Sequence, residues 1–351
     1  MKASTTTSVD LTAAELAAVS RRLVSTGIDL AGPLRADRIA GGRSNLTFLL
    51  TDGTTRWVLR TPPRAGRTPS AHDVGREFRV CRALEDTAVP VPRQVMSVED
   101  DADLGGPYVV AEHVAGASVQ SREELDRLGP DRLGRTVEAL VSALAALHAV
   151  DHAAVGLSGF GRPDGYAARQ LRRWSGQWDL VAPADPGARA AAAELEDRLS
   201  GALPEQHAAA VVHGDYRIDN TILQIEPGDV QVAAVLDWEL STIGDPVADV
   251  AMMCAYRDPA FDLIVGEPCA WTSPLLPGPD GIAAAYEAAD GAPLRDWTVH
   301  RALGYYKVAV IAAGIDHRFR AGAGAGDGHR TAGEAVGPFL AAGLSLGPLK
   351  G

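Results

Sequence analysis

Residues 211–220, VVHGDYRIDN, and residues 235–239, VLDWE, carry the densest set of chemically reactive side chains in the sequence. Asp215, on a short loop, can accept a proton from a substrate hydroxyl. Asn220 can turn back to the same pocket as a neutral oxygen ligand, and Asp237, at the end of the next predicted strand, can bind Mg²⁺. Phosphoryl transfer needs a positioned hydroxyl, a hard cation and oxygen ligands. The two segments therefore predict a phosphoryl-transfer site.

The order of these segments resembles the aminoglycoside phosphotransferase-like kinases, which have a protein-kinase-like fold. In that family HGD replaces the HRD of protein kinases, and residues 235–251, VLDWELSTIGDPVADVA, are similar to the metal-binding segment. Residues 165–174, GYAARQLRRW, and residues 305–318, YYKVAVIAAGIDHR, further resemble the subgroup fused to, or encoded beside, acyl-CoA dehydrogenases. The resemblance covers most of the chain.

The resemblance implies a role for each matched residue, with ATP and Mg²⁺ as cofactors. Asp215 would be the catalytic base or would orient the substrate hydroxyl, while Asn220 and Asp237 would bind Mg²⁺. Arg60 would pair with the ATP phosphates and be held by Glu77, although kinases usually have lysine at this place. Arginine keeps the positive charge but presents a planar fork instead of a compact ammonium.

The remaining nucleotide contacts are implied by the same resemblance. Residues 39–50, IAGGRSNLTFLL, are similar to the nucleotide-covering loop of the family, which would place Ser44 and Asn45 over the phosphates. This loop lacks the full G-x-G-x-x-G of protein kinases, and the sequence contains no Walker A motif. The linker, whose backbone groups would face adenine, would consist of Glu112, His113 and Val114.

The patterns along the chain predict an α+β protein with two lobes, and the resemblance implies that this bilobal protein has a protein-kinase-like fold. Residues 36–60 are typical of strands joined by a tight turn, whereas residues 73–85 place apolar side chains at helical spacing. Helical patterns dominate farther along the chain. We therefore expect a small N-terminal nucleotide-binding lobe with an antiparallel sheet, residues 1–112. A larger, mainly helical catalytic and substrate-binding lobe would span residues 113–351, with ATP between the two.

Other polar residues are better interpreted as structural. Thr12 and Glu15 form a candidate capping box for a first helix. Asp245 precedes a proline and suits a helix N-cap. Asp249 is expected to support the catalytic loop, and His213 to brace it by hydrogen bonding instead of acting as a base.

The clearest clue to the substrate is a cluster of cations on one predicted helix. Arg169, Arg172 and Arg173 recur at spacings that share a helix face, next to Trp174. In an acidic chain this face favours an anionic group, since guanidinium forks suit carboxylates and phosphates. Together with the subgroup resemblance, it favours a hydroxy acid or hydroxyacyl-CoA as acceptor. The alternative is a solvated helix face with Trp174 in the core. A late helix could line the same cleft with Lys307, Asp316, His317 and Arg318.

Composition limits the class of partner. The 351 residues include 45 acidic and 33 basic side chains, a net charge of −12, which argues against a nonspecific nucleic-acid binder. No apolar run reaches about 18 residues, and the N-terminal residues lack an apolar signal-peptide region, so we expect no membrane association. Three widely separated cysteines favour a reducing compartment, and we expect a cytoplasmic protein. The expected partner is a small-molecule substrate; a homodimer is compatible with the sequence.

The sequence is also compatible with other functions. The broader family includes kinases of aminoglycosides, which are cations. A catalytically inactive nucleotide-binding module would be expected to lack one of Asp215, Asn220 and Asp237, all of which are present. A metal-dependent hydrolase would use the carboxylates but would leave Arg60 and Glu77 without a purpose. A protein kinase would need an activation segment, and none is recognisable after Asp237.

Overall fold

The computed structural model describes residues 10–39, 45–63, 73–322 and 327–349, so Ser44 lies outside the described residues. The chain forms two compact units. The first contains Met1–Asp86, Val91–Ala115 and Asp237–Glu239, and the second contains Thr87–Pro90, Gly116–Leu236 and Leu240–Gly351. Asp237, which a boundary at residue 112 assigns to the second lobe, therefore groups with the first unit.

The first unit combines a five-stranded antiparallel sheet with helices. In spatial order its strands are β1 (Arg35–Arg38), β2 (Leu46–Thr51), β3 (Arg56–Thr61), β5 (Tyr108–Glu112) and β4 (Gln94–Val98). Its helices over the described residues are α1 (Ala13–Ser25) and α2 (Val74–Leu84). The antiparallel sheet predicted for the N-terminal part is confirmed, and β3 places Arg60 opposite Val109.

Helix α1 begins where the sequence predicts and closes one face of the sheet. The Thr12 hydroxyl accepts the N–H of Glu15 at 3.3 Å, and the Glu15 carboxylate accepts the N–H of Thr12 at 2.6 Å, so the capping box is confirmed. Burying a large apolar side chain stabilises a fold by roughly 1.5–3 kcal/mol. The core that fixes β3 consists mainly of Ala18, Val19, Leu23, Phe48, Leu50, Trp57, Leu59, Met96, Tyr108 and Val110.

The second unit is mainly helical, as predicted. Its helices over the described residues are α3 (Arg122–Asp126), α4 (Pro130–His148), α5 (Tyr166–Val181), α6 (Pro186–Ser200), α7 (Pro246–Ala255), α8 (Phe261–Val265), α9 (Pro279–Ala288), α10 (Trp297–Arg320), α11 (Asp327–Thr331) and α12 (Val336–Ser345). Its strands form two antiparallel pairs: β6 (Ala210–Val212) with β9 (Thr242–Gly244), and β7 (Thr221–Glu226) with β8 (Asp229–Val235).

These strand pairs position the motif residues. Strand β6 ends immediately before His213, and a single 3₁₀ turn, Ile218–Asn220, leads directly into β7. Strand β9 leads into α7, where Asp245 accepts the N–H of Val247 at 3.0 Å and Pro246 is the first helical residue. The predicted N-cap is therefore confirmed. All residues from Val247 to Ala255 except Ala248 are buried, so α7 is a core helix.

The three cysteines are small buried residues, as the sequence predicts. Cys81, Cys254 and Cys269 are free and buried, and burial raises the pKa of each thiol, to about 12 for Cys254. They act as small hydrophobic residues.

Within the described ranges, every helix is too short or too polar to cross a membrane.

Gly116 allows a close backbone approach to β7. Ala117 and Leu223 exchange two backbone hydrogen bonds of 2.8 Å. A Cβ on Gly116 would lie 2.5 Å from Cγ2 of Ile222 and 2.6 Å from the carbonyl oxygen of Leu223, and its φ is +153°. A side chain at this position would therefore push β7 away, and β7 directly follows Asn220.

Gly116→Ala should lower the free energy of unfolding by about 2–3 kcal/mol, because it adds a backbone clash to an unfavourable φ. Gly228→Ala is the matched control: its φ is also positive, at +81°, but a Cβ would meet no atom within 4 Å. We expect a loss of about 1 kcal/mol there. Urea denaturation of both variants measures the difference; equal losses would show that the close approach is unimportant.

Candidate active site

The loop after β6 is held by one buried carboxylate. Asp249, on α7, accepts the backbone N–H of His213 at 2.5 Å and that of Gly214 at 2.7 Å. His213 Nε2 lies 2.8 Å from the carbonyl oxygen of Leu236, so this nitrogen carries the proton and donates it. His213 Nδ1 accepts the N–H of Asp215 at 3.3 Å. With both ring nitrogens engaged, His213 braces the loop, as the sequence predicts.

A second layer supports Asp249 from helices distant in the sequence. His148, at the end of α4, places Nε2 3.3 Å from Asp249, while its Nδ1 lies 2.7 Å from the hydroxyl of Tyr286 on α9. Burial alone would raise the pKa of Asp249, but the hydrogen bond and charge of His148, with the N–H of Gly214, lower it overall. The carboxylate is therefore ionised at neutral pH. No sequence signal connects His148 and Tyr286 to this site.

Asp215 and Asn220 come together as predicted for a shared pocket. The Asn220 side-chain amide donates to the Asp215 carboxylate at 3.0 Å and to the Asp215 backbone carbonyl at 2.7 Å. Both donors of Asn220 thus face Asp215, and its amide oxygen is left for another partner. The arrangement fixes one oxygen of Asp215 while the side chain stays about one-fifth exposed, at 19%.

Arg217 lies between two carboxylates and was not singled out from the sequence. Its Nε donates to Asp215 at 3.4 Å and its Nη1 donates to Asp219. The guanidinium also lies 5.5 Å from the ring centroid of Tyr256 and 5.2 Å from that of Phe261. A cation two residues after Asp215 in HGDYRIDN is the signal that could have identified it.

The electrostatic surroundings keep Asp215 charged. Burial alone would raise the pKa of Asp215, but the Arg217 charge, followed by contributions from His213, Tyr256 and Lys307, lowers it below the ordinary value. For Asp219, burial outweighs its pairing with Arg217 and raises the pKa. The two carboxylates therefore differ: Asp215 is the one held ionised and ready to accept a hydrogen bond.

In the first unit Arg60 joins two acidic residues. Its Nη1 donates to Glu77 of α2 at 2.5 Å, and its Nη2 donates to Asp237 at 3.1 Å. Burial alone would lower the pKa of Arg60, but the charges of Glu77 and Asp237 raise it. The guanidinium therefore stays charged, and Glu77 holds it, as the resemblance implied.

Asp237 has an unusual backbone. Its φ is +62°, in the left-handed region that non-glycine residues seldom adopt. Such conformations cost of order 1–3 kcal/mol and concentrate at functional sites. The Asp237 side chain is one-third exposed and uses Oδ1 for Arg60, so its carboxylate remains accessible for a further ligand.

The other predicted nucleotide contacts lie in the same unit. Asn45 is buried, and neither its amide oxygen nor its amide nitrogen has a hydrogen-bond partner among the described residues. Glu112 and His113 donate their N–H groups to the carbonyls of Arg93 and Arg56, at 2.8 and 3.2 Å. Within the described residues, the backbone of Val114 makes no backbone–backbone hydrogen bond.

The predicted substrate cluster is only partly solvated. On α5, Arg172 and Arg173 are exposed, whereas Arg169 and Trp174 are half-buried. The Arg173 guanidinium lies 5.3 Å from the ring centroid of Trp174, and Arg169 donates to the carbonyl of Arg162 at 2.6 Å. Trp174 also faces the ammonium of Lys307, 5.7 Å from its ring centroid. The exposed Arg172 and Arg173 fit the alternative of a solvated helix face, whereas Trp174 is not in the core as that alternative expected.

Comparison with known proteins assigns the chain to a class. The model of the phosphotransferase enzyme family (APH) matches residues 35–303, more than half of the chain, and the protein belongs to this family. It is 33% identical over 296 residues to acyl-CoA dehydrogenase family member 10 of Mus musculus, covering 83% of the chain and 27% of the relative. It is 32% identical over 323 residues to family member 11 of Gallus gallus, covering 90% and 41%. The predicted subgroup resemblance is confirmed, and the chain spans less than half the length of these relatives.

Solved structures confirm the kinase-like fold. A protein from Ralstonia eutropha JMP134, described as a candidate aminoglycoside phosphotransferase, superposes with a TM-score of 0.79 at 28% identity, covering 94% of this chain and 97% of that one. A thermostable variant of the aminoglycoside phosphotransferase APH(4)-Ia, solved with AMP-PNP and hygromycin B, gives a TM-score of 0.60 at 16% identity, covering 93% and 99%. The second similarity concerns the fold alone.

Asp249→Asn should destabilise the protein by about 2–4 kcal/mol at pH 7, since an amide cannot accept both N–H groups with a full charge. The folded-state pKa of Asp249 is lowered, so its contribution is present above about pH 4, the ordinary carboxyl value, and is lost as the pH falls through the folded-state value. The deficit of the variant should therefore shrink on acidification. Urea denaturation between pH 7 and pH 3.5 measures it, with exposed Asp280→Asn as control; a deficit independent of pH would contradict this role.

Proposed function

We propose that the protein transfers the γ-phosphate of ATP to a hydroxyl of a small anionic molecule, a hydroxy acid or a hydroxyacyl-CoA. Membership of the phosphotransferase family gives the class of reaction. The observation that carries transfer to a hydroxyl is the Asp215 carboxylate, held by Asn220 and Arg217 on a loop that Asp249 braces. An inactive nucleotide-binding module would not need this arrangement.

The chemistry expected of the chain's own groups is positioning and charge stabilisation. Asp215 accepts the proton of the substrate hydroxyl, or orients it, while the hydroxyl oxygen bonds to the γ-phosphorus, the bond from that phosphorus to the β-phosphate oxygen breaks and ADP leaves. Arg60 contributes positive charge toward the ATP phosphates, and Glu77 keeps its fork in place. The buried, unpartnered amide of Asn45 offers both a donor and an acceptor to the nucleotide.

The available oxygen donors fit Mg²⁺ as the metal. The amide oxygen of Asn220 and the carboxylate of Asp237 are hard ligands of the kind that Mg²⁺ prefers when phosphates supply the rest of its shell. The metal, when bound, would neutralise phosphate charge.

The cations on α5 support an anionic acceptor. Arg169, Arg172 and Arg173 lie on one helix within an acidic chain, and the half-buried Trp174 adds an apolar surface beside them. A cationic aminoglycoside would be repelled by this face. Guanidinium groups suit the carboxylate of a hydroxy acid or the phosphates of CoA.

Asp215→Asn should lower kcat by about 10²–10⁴-fold, because the amide cannot accept the hydroxyl proton. ATP binding, measured by isothermal titration calorimetry with Mg²⁺, should stay within about threefold, since the nucleotide contacts lie on other residues. The assay is transfer of labelled γ-phosphate to a panel of hydroxy acids, hydroxyacyl-CoAs and aminoglycosides. Exposed Asp229→Asn is the control. Undiminished transfer by Asp215→Asn would refute the assignment, and turnover confined to aminoglycosides would refute the substrate class.

Replacing Arg169, Arg172 and Arg173 together with glutamine should raise KM for the anionic acceptor about tenfold, with little change in KM for ATP. The charge-matched control replaces three exposed arginines elsewhere, Arg35, Arg38 and Arg135. Steady-state kinetics of both triple variants separates a local contact from a general change in net charge. Equal KM values in the two variants would show that the α5 face is ordinary solvated surface.

A further inference from the structure

We propose that Lys307 binds the acyl oxygen of the acceptor: the carboxylate of a hydroxy acid or the thioester carbonyl of a hydroxyacyl-CoA. This inference rests on the proposed function and adds the residue that would recognise the end of the acceptor near the reacting hydroxyl. The argument comes from the composition of the chain, from the hydrogen bonds of the ammonium and from the side chains around it.

Lysine is rare in this sequence. Of the 33 basic residues, lysine occurs only as Lys2, Lys307 and Lys350, and the other 30 are arginine. Even the position that is lysine in most kinases is Arg60 here. Lys307 is thus the single lysine away from the chain ends, and it is also buried, with 8% of its surface exposed. Its compact ammonium differs from the planar guanidinium fork that the chain has at most of its cationic positions.

The ammonium of Lys307 uses only some of its N–H donors within the described residues. Its Nζ donates to the carbonyl oxygen of Gly214 at 3.0 Å, immediately before Asp215 in the chain. No other hydrogen bond of this ammonium occurs among the described residues, although an ammonium has three N–H donors. A buried ammonium with unused donors is costly unless a ligand supplies the missing acceptors. Lys307 is therefore prepared for an oxygen ligand next to the catalytic loop.

The surroundings favour a ligand that enters from α5. Trp174 is close to two cations: Lys307 lies 5.7 Å and Arg173 lies 5.3 Å from its ring centroid. Exposure rises along this series, from buried Lys307 through half-buried Trp174 to exposed Arg173. Burial lowers the pKa of Lys307, opposed by the charges of Asp215 and Asp249 and reinforced by Arg173. Lys307 and Asp215 are close enough to influence one another's ionisation.

The location and exposure of the cations support an acyl oxygen, and not a phosphate group, as the ligand of Lys307. The Arg60 cation, which serves the ATP phosphates in the proposed function, belongs to the first unit, whereas Lys307, Trp174 and Asp215 all belong to the second. A compact ammonium suits a single small oxygen in a buried place. The exposed forks of the α5 arginines suit larger phosphate groups, such as those of CoA.

Selective labelling of lysine with ¹³C at Cε tests this directly, because the sequence has three lysines. Lys307→Met identifies the Lys307 signal by its disappearance. We expect this signal to shift with 3-hydroxybutyrate, 4-hydroxybutyrate or 3-hydroxybutyryl-CoA, and not with 1,3-butanediol, which keeps the hydroxyl but lacks the acyl oxygen. No shift with any acyl compound would overturn the proposal. A shift with inorganic phosphate alone would also overturn it and assign the ammonium to the transferred phosphate.

Steady-state kinetics distinguish binding of the acceptor by Lys307 from support of the catalytic loop through the Gly214 carbonyl. Lys307→Met should lower the ratio of kcat/KM for 3-hydroxybutyrate to that for 1,3-butanediol by about 10-fold or more, the effect of one hydrogen bond to a charged group. Lys350→Met is the control. If Lys307 only holds the Gly214 carbonyl, activity toward both acceptors falls equally, the ratio stays constant and the proposal fails. The NMR experiment needs no turnover, so it remains decisive even if the proposed kinase activity is absent.

Discussion

The two hydrogen bonds that Asp249 accepts from His213 and Gly214 are the constraint on which the candidate site depends. They fix consecutive backbone N–H groups immediately before Asp215, so the direction of the Asp215 side chain follows from them. A buried carboxylate is stable only when its lone pairs are occupied. His148, on a second helix, contacts the Asp249 carboxylate, and Tyr286, on a third helix, contacts the other ring nitrogen of His148. The loop is therefore supported by the core of the second unit.

Around this fixed loop, charge is distributed unequally. Arg217 divides its donors between Asp215 and Asp219, and the ring faces of Tyr256 and Phe261 cover its guanidinium. Asp215 gains cationic neighbours and stays ionised, whereas Asp219 is dominated by burial. Two carboxylates four positions apart thus acquire different properties from their surroundings. The lowered pKa of Asp215 keeps its carboxylate unprotonated at neutral pH, so it can accept hydrogen bonds.

Sequence reasoning reached the parts that are local in the chain. The capping box at Thr12, the N-cap at Asp245 and the approach of Asn220 to Asp215 each depend on a few neighbouring residues, and the structure contains them. The His148–Asp249 contact joins residues 101 positions apart and has no periodic or motif signal. The positive φ of Asp237 is likewise invisible, because aspartate does not require that conformation. What escaped prediction was tertiary contact and backbone strain.

The departure at Arg60 has a physical reason in the structure. Nη1 reaches Glu77 and Nη2 reaches Asp237, so one planar fork serves two carboxylates at once. An ammonium could meet both carboxylates only by placing its single nitrogen between them. Lys307 shows the opposite requirement: one backbone carbonyl to hold, little space, and donors left over. The choice between arginine and lysine in this chain therefore follows the number and spacing of the acceptors that each cation must serve.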